Sequence, residues 1–308
     1  MPESSLRTPV VLAIFNRPDT TLQVFERVRS ARPERLLVIA DGPRPGRPEE
    51  YRLCEEARAV VERVDWPCDV SAELSAVNLG CRRRLSSGLN WAFGLVEEAI
   101  VLEDDCLPHP SFFRYCEELL QRYRDEERVM HISGDNFESI WRGRDPLTRV
   151  SRSVRRRLGA SYYFSRYAHV WGWASWRRAW RHWEEGMSAW IEADDRETLL
   201  AVLSDPSERR FWAETMDRVA DGELDSWAYQ WTFACLLRGG LGAMPRRNLI
   251  SNIGFEKGAL HTTDPANPFA ALPLEGVSFP LRHPRSLSRD ERTDARIAQL
   301  AFGASPRS

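Results

Sequence analysis

Three consecutive carboxylates, Glu103, Asp104 and Asp105, follow the apolar run at residues 99–102 and are the residues of this chain best suited to chemistry. Like charges this close repel one another, so the arrangement is costly unless a cation or hydrogen-bond donors are present. Hard carboxylate oxygens suit Mg²⁺ or Mn²⁺, which usually reach a protein through one or two carboxylates and complete their shell with phosphate oxygens. The triplet therefore predicts a metal-diphosphate site. A solvated acidic turn is the alternative interpretation.

Polar residues also follow the first two apolar runs of the chain. Asn16 and Arg17 come after the first run, and Asp41 comes after the second. A carboxylate can accept a hydrogen bond from a base N–H or a ribose hydroxyl, and an arginine can meet a phosphate or a base carbonyl. These three residues are therefore candidate nucleotide-binding groups, with a turn and a helix cap as alternatives. The chain lacks GxxxxGK[ST] and GxGxxG after its apolar runs, which argues against P-loop kinases and dinucleotide oxidoreductases.

The elements that must position these residues alternate along the first half of the chain. Apolar runs at residues 9–15, 35–42, 68–74, 99–105 and 129–136 are separated by segments with helical periodicity. This β-α-β-α-β-α-β-α-β order predicts an α/β protein with a Rossmann-like, mostly parallel twisted sheet. In such sheets ligands bind at the carboxyl ends of the strands, where the acids and Arg17 fall.

The second half is less regular and rich in tryptophan. Nine of the twelve tryptophans lie between Trp171 and Trp231. Four of them fall at spacings of three and four: Trp173, Trp176, Trp180 and Trp183. This spacing predicts one buried face of a helix, and sugar stacking by one or two of these rings is the alternative.

Composition limits the classes of partner. The 308 residues carry 43 basic and 45 acidic side chains, and a formal charge of −2 gives no overall field that would attract nucleic acid. The apolar run before Asn16 is too short for a signal sequence or a membrane span, so we expect a cytoplasmic protein. An arginine-rich stretch begins at Arg142 and ends at Arg157. It is either a solvated loop or a contact with a phosphate-bearing acceptor at the inner face of a membrane.

A family resemblance becomes specific around the acidic triplet. Residues 9 to about 140 resemble the donor half of a GT-A glycosyltransferase, and the segment AIVLEDDCLPHPSFF is similar to the metal-binding strand and following helix of the N-acetylglucosaminyltransferase I family. The resemblance implies that Asp105 ligates Mn²⁺ or Mg²⁺. It also implies that Glu103 and Asp104 touch the nucleotide sugar.

Three further motifs resemble that family and occur in the family's order. VWGWASW is similar to a Gly-Trp step in an acceptor-side segment, and ELDSWAYQW is similar to the acid-Trp motif that carries the catalytic base, which implies this role for Asp225. KGALH, from Lys257 to His261, is similar to a loop that closes over the donor. Ser226 stands where the family often has a second acid, and the arginine-rich stretch has no counterpart, so the acceptor is not carried over.

The residue types themselves allow a catalytic role for Asp225 and a donor-binding role for Lys257. A carboxylate at Asp225 could take the proton of an acceptor hydroxyl, whereas a helix N-cap is the alternative. Lys257 is the single lysine of the chain, and its compact charge suits a diphosphate oxygen, whereas a solvated loop cation is the alternative. Gly254 and Gly258 flank it, so we expect the loop at residues 252–263 to be mobile without a donor and ordered with one.

The sequence thus predicts a metal-dependent, inverting glycosyltransferase that moves a sugar from a nucleotide-diphosphate sugar to a hydroxyl of a glycan or lipid-linked acceptor. A UDP-sugar is the favoured donor. The expected organisation is a donor-binding half at 1–140, an acceptor-side half at 141–265 and a tail at 266–308. A sugar-phosphate nucleotidyltransferase and a non-catalytic sugar-binding or nucleotide-binding module of the same fold remain the alternatives.

Overall fold

The computed structural model describes residues 5–137, 159–255 and 272–302. Within these residues, eight strands form one sheet in the order β3-β2-β1-β4-β8-β6-β9-β7, and β5 and β10 form a separate two-stranded ribbon. The arginine-rich stretch from Arg142 to Arg157 lies outside the described residues, as do Lys257 and His261.

The first half contains the predicted alternation of strands and helices. Its strands are β1 (Val10–Ile14), β2 (Arg35–Ala40), β3 (Asp69–Leu74), β4 (Glu98–Glu103), β5 (Cys106–Pro108) and β6 (Val129–Ser133). Its helices are α1 (Pro18–Ala31), α2 (Pro48–Val61), α3 (Cys81–Leu95) and α4 (Ser111–Arg122). All five predicted strands are therefore present, and β5 is an addition.

The second half contributes the remaining elements. Its strands are β7 (Tyr162–Ser165), β8 (Trp173–Trp176), β9 (Leu241–Pro245) and β10 (Ile250–Asn252). Its helices are α5 (Arg177–Trp180), α6 (Ser188–Ile191), α7 (Arg196–Leu199), α8 (Pro206–Ala220), α9 (Ala228–Leu237) and α10 (Glu291–Phe302). Among the described helices, none has the length and apolar character needed to cross a membrane.

Strand directions confirm the predicted fold class. β1 pairs in parallel with both β2 and β4, β2 pairs in parallel with β3, and β6 pairs in parallel with β9. β8 lies antiparallel between β4 and β6, and β7 runs antiparallel to β9 at the sheet edge. The sheet is therefore mixed and mostly parallel, and strands from both predicted halves share it. The boundary near residue 140 stays a prediction.

The prediction that four tryptophans form one buried face of a helix was right about their burial and wrong about the helix. Trp173 and Trp176 belong to strand β8, and only Trp180 lies in the short helix α5. A strand buried on both faces has no polar alternation, so a three-residue spacing of large side chains fits it as well as a helix. All four tryptophans are buried, and Trp173 stacks on Trp227 with ring centroids 5.6 Å apart.

Two apolar layers cover the sheet, and one of them fixes α3. On one face, α1 and α4 pack through residues such as Phe25 and Phe112. On the other face, α3 packs through Leu85 and Leu89 beside Trp173 of β8 and Trp231 of α9. Each large apolar side chain buried in this way contributes about 1.5–3 kcal/mol. α3 is thus held rigidly, with its N-terminus next to the carboxyl edge of the sheet.

Candidate active site

The acidic triplet lies at the carboxyl end of β4, as predicted. Glu103 is the last residue of this strand and pairs with Ala13 of β1. The backbone N–H of Phe15 donates to Asp104 Oδ2 at 3.0 Å, and the Arg17 guanidinium lies 2.7 Å from Asp105 Oδ2. The loop after β1 and the end of β4 therefore form one site, because parallel neighbours end at the same edge.

The predicted repulsion within the triplet is present. Burial raises the pKa of the Glu103 carboxyl, and the neighbouring carboxylates Asp105 and Asp104 raise it further. Burial likewise raises the pKa of Asp104, where Arg17 opposes the shift. Arg17 loses solvation in this position, but attraction to Asp104 and Asp105 raises its pKa above the ordinary value. One guanidinium thus offsets part of the repulsion among three acids.

The residues present fit a metal ion only if a substrate completes its coordination. Asp105 is partly exposed, and its Oδ2 already pairs with Arg17. Within the described parts of the chain, no group of three or more His, Cys, Asp or Glu side chains converges as a protein-only metal site requires. Mg²⁺ and Mn²⁺ sites commonly combine one or two carboxylates with substrate phosphates. Asp105 beside a diphosphate matches that donor set.

Asp41 lies at the same edge of the sheet, but its carboxylate oxygens accept hydrogen bonds from other groups of the protein. Its carboxylate is buried and accepts from four donors: the backbone N–H groups of Gly42, Leu79 and Gly80, at 2.9 to 3.1 Å, and the Asn78 amide, at 3.0 Å. Asp41 therefore braces the loop between β3 and α3. Contact with the nucleotide stays a prediction for Asp41, as it does for Asn16, which lies beside Arg17 in the loop after β1.

Asp225 lies at the N-terminal end of α3 rather than at the start of its own following helix. Its Oδ1 accepts a hydrogen bond from the backbone N–H of Arg82 at 3.2 Å. The side chain of Trp227, the residue that precedes α9, makes no capping hydrogen bond, and Asp225 makes none to α9 in the described structure. The carboxylate is exposed, so it caps a distant helix and still faces solvent.

Cys81 shows that Asp225 and the triplet converge. This residue begins α3, and burial raises the pKa of its thiol. Glu103, Asp225, Asp105 and Asp41 each raise it further by their negative charge. Acids from the ends of β2 and β4 and from the segment before α9 therefore lie around the start of α3, where Asp41 also accepts from the Gly80 N–H and Asp225 from the Arg82 N–H.

Arg82 is a residue of the site that the sequence analysis missed. Its guanidinium donates to the Val219 carbonyl at 3.0 Å and to the Glu185 carbonyl at 2.9 Å, while its backbone N–H holds Asp225. It therefore ties the C-terminal end of α8 to the N-terminal end of α3. Three consecutive arginines at 82–84 were visible in the sequence, but nothing in their spacing indicates which of them makes this link.

The segment that leads into the predicted donor-closing loop is anchored beside Asp105. β10 pairs antiparallel with β5, with Asn252 opposite Cys106, and the Ile253 N–H donates to the Asp105 carbonyl at 2.8 Å. A Cβ at Gly254 would collide with the Asp105 carboxylate and the Arg17 guanidinium. A glycine is needed here because backbone passes directly over this ion pair.

A second acid pairs with a histidine further along the same edge. Asp135, just beyond β6, lies 2.8 Å from His169 Nδ1 through its Oδ1. The acid of the SGDN run was visible after the fifth predicted strand, but its partner lies 34 residues away, so the sequence offers no signal for the pair.

Comparisons with known proteins show only a distant likeness. The chain is similar to a mannosyltransferase from Pyrobaculum calidifontis in complex with GDP-Man and Mn²⁺, at 12% identity over 77% of this chain and 70% of that chain, with a TM-score of 0.34. It is also similar to a UDP-glucose pyrophosphorylase complexed with UDP-glucose, at 12% identity over 53% of this chain and 64% of that chain, with a TM-score of 0.27. No family model and no curated protein sequence matches the chain. Likeness at this level assigns no activity, so function has to be argued from the geometry of the site.

Proposed function

We propose that the protein is a metal-dependent glycosyltransferase that moves a sugar, with inversion, from a nucleotide-diphosphate sugar to a hydroxyl of a glycan or lipid-linked acceptor. The observation that carries the proposal is that Asp225 and Asp41 accept hydrogen bonds from the Arg82 and Gly80 N–H groups at the start of α3, whose first residue also lies in the field of Glu103 and Asp105. A UDP-sugar is the favoured donor. The metal is Mn²⁺ or Mg²⁺.

The leaving group of such a reaction is a nucleoside diphosphate, which needs positive charge. Arg17 supplies one guanidinium at the triplet, and the dipole of α3 adds a partial positive charge at its N-terminal end, where Asp41 and Asp225 already accept from two backbone N–H groups. A bound metal at Asp105 would neutralise the charge that develops on the diphosphate. Lys257 would add a further cation from the loop that follows Gly254.

Asp225 serves as the general base in this proposal. Its carboxylate takes the proton of the acceptor hydroxyl while that oxygen bonds to the anomeric carbon and the bond from this carbon to the diphosphate oxygen breaks. The hydrogen bond from Arg82 fixes one carboxylate oxygen, and Oδ2 accepts no hydrogen bond from a described residue. One oxygen is thus held and the other is left to accept the proton.

The test is nucleotide release from a panel of UDP-sugars and GDP-sugars with Mn²⁺, with and without mixed glycan acceptors. Release of UDP or GDP that needs the metal and rises with acceptor is the expected result. Formation of a nucleoside triphosphate on adding pyrophosphate would indicate a nucleotidyltransferase instead. Metal-dependent binding of UDP with no release from any donor would indicate a binding module and overturn the proposal.

A further inference from the structure

The pair of Asp135 and His169 is held more firmly than a structural ion pair at a loop requires. The Ser133 hydroxyl donates to the His169 carbonyl at 3.0 Å and accepts from its N–H at 3.2 Å, and the same carbonyl lies 2.7 Å from His131 Nε2. Asp135 is almost fully buried, and its Oδ1 fixes the His169 ring through Nδ1. Both the backbone and the ring of His169 are therefore locked by β6.

The other ring nitrogen of His169 is left for a ligand. In the tautomer that donates from Nδ1 to the Asp135 carboxylate, Nε2 is a hydrogen-bond acceptor. His169 Nε2 has no hydrogen-bond partner within the parts of the chain that the structure describes, and the side chain is 9% exposed. The ring stacks on Phe137 with centroids 4.4 Å apart and planes inclined by 24°. An oriented acceptor next to an aromatic face is an arrangement that suits a sugar, which presents hydroxyls and an apolar face.

A row of aromatic rings connects this histidine to the acidic triplet. Phe137 meets Trp171 edge-on at 5.2 Å, and Trp171 meets Phe255 edge-on at 5.7 Å. Phe255 follows Gly254, the residue whose backbone passes over Asp105. The rings therefore form a continuous apolar row from His169 to the site proposed for the donor. A saccharide lying along this row would be adjacent to the anomeric carbon of a bound donor.

We propose that His169 and the aromatic row formed by Phe137, Trp171 and Phe255 are a saccharide subsite, in which His169 Nε2 accepts a hydrogen bond from a hydroxyl of the acceptor sugar. Asp135 is a positioning residue that holds the imidazole with Nε2 toward the sugar. The inference rests on the proposed function for its role in transfer. The binding of a simple sugar to the subsite can be measured independently of turnover.

The probes are the methyl glycosides of glucose, galactose, mannose and N-acetylglucosamine, titrated up to about 100 mM, where an affinity of about 1 mM saturates. Tryptophan fluorescence reports binding, and nucleotide release reports stimulated turnover. In His169→Phe, which keeps an aromatic ring and loses the acceptor, we expect the half-saturating glycoside concentration to rise at least roughly fivefold. The dissociation constant for UDP with Mn²⁺ should stay within about twofold.

Control variants distinguish sugar binding by His169 from a purely structural role of this residue. His182→Phe is the matched control, because the His182 ring makes no hydrogen bond to a described residue. His169→Gln, which places an amide near the position of Nε2, should restore part of the glycoside affinity. If His169→Phe fails to fold, Trp171→Leu tests the same subsite and keeps the backbone N–H of residue 171 that interacts with Asp135, and it should weaken glycoside binding in the same way.

Three results would overturn parts of this scheme, and they are distinguishable. A wild-type protein that binds UDP and releases it from a donor, but binds none of the glycosides, has no such subsite. Unchanged glycoside affinity in both His169→Phe and Trp171→Leu also removes the subsite. A wild-type protein that binds the glycosides but never binds a nucleotide keeps the subsite and loses the proposed function.

Discussion

The Asp225 carboxylate accepts a hydrogen bond from the backbone N–H of Arg82, 143 residues earlier in the chain. This contact places an exposed acid from the second half at the N-terminus of a helix whose first residue, Cys81, lies among the acids of the first half. The proposed base and the proposed diphosphate site thereby lie at the same end of one helix.

Asp225→Asn should keep donor affinity and lower sugar transfer by roughly a hundredfold to ten-thousandfold, which is the usual contribution of a general base. The asparagine Oδ1 can still accept from Arg82, so the helix contact is preserved. Calorimetry with UDP and Mn²⁺ measures binding, and nucleotide release measures transfer. Asp221→Asn, at an exposed acid four residues earlier, is the control. Transfer at the wild-type rate, or loss of the fold, would favour the capping role alone.

Arg82→Ala should lower both stability and transfer while leaving UDP affinity nearly unchanged. The variant loses the hydrogen bonds to the Val219 and Glu185 carbonyls, a cost of about 1–3 kcal/mol, and releases the segment that carries Asp225. Urea unfolding and nucleotide release are the measurements. Arg83→Ala, at the exposed neighbouring arginine, should change neither quantity. Equal effects of the two substitutions would show that Arg82 has no special role.

Asp105→Asn should abolish the metal-dependent part of UDP binding and leave the fold intact, because a partly exposed acid beyond the end of β4 contributes little to the core. Calorimetry with UDP, in the presence of Mn²⁺ or a chelator, gives the two affinities. The control is Glu98→Gln, at the opposite end of the same strand. Undiminished metal-dependent affinity in Asp105→Asn would remove this residue from the site.

Arg17→Ala should destabilise the free protein by about 1.5–3 kcal/mol, because the hydrogen bond to charged Asp105 is lost and the repulsion among the three acids is no longer offset. Mn²⁺ should then stabilise the variant more than the wild type, since the ion takes over the neutralising role. The melting temperature with Mn²⁺ and with a chelator is the measurement. A smaller metal effect in the variant would show that Arg17 helps metal binding instead of substituting for it.

His131 should contribute a loss of stability as the pH drops below about 6.5, and the raised pKa of the Glu103 and Asp104 carboxyls acts in the opposite sense. Its Nδ1 accepts from the Trp231 indole N–H at 3.0 Å and its Nε2 faces the His169 carbonyl, so the ring is held neutral. Burial lowers the pKa of His131 to about 3. At this residue the unfolded chain therefore binds more protons between pH 6.5 and 3, and His131 alone lowers stability by up to about 1.4 kcal/mol per pH unit in that range.

Urea midpoints of the wild type and of His131→Gln at pH 7 and pH 5 check this expectation. The variant should be less stable at pH 7, and its deficit relative to the wild type should shrink toward pH 5. Other buried acids titrate in both proteins and cancel in the comparison. Identical pH dependence of the two midpoints would mean that His131 does not titrate on unfolding in this range.

The sequence predicted those parts of the site that depend on residue type at the end of a strand. The triplet after β4 and Arg17 after β1 are adjacent because parallel neighbours end together, and this follows from the order of elements alone. The role of Asp41 in bracing its loop was not predictable, since its four donors become available only when the loop before α3 folds back.

Other features depend on tertiary pairing that leaves no local pattern. Strand β8 carries WASW, in which the spacing of Trp173 and Trp176 is as consistent with a helix as with a strand buried on both faces. The contacts of Asp135 with His169 and of Arg82 with Asp225 join segments with no shared periodicity. Long-range hydrogen bonds of this kind appear only once the sheet order is known.

The position of β8 also limits how this chain can be synthesised and folded. β4 and β6 are complete by residue 133, but the strand that must lie between them comes forty residues later, at Trp173–Trp176. Until that segment leaves the ribosome, the facing edges of β4 and β6 stay unpaired, and unpaired edges are sites of aggregation. The sheet therefore closes late and through non-local contacts, which slows folding. A fragment that ends near residue 140 would contain most of the acidic site and lack the strand that joins the two sides of its sheet.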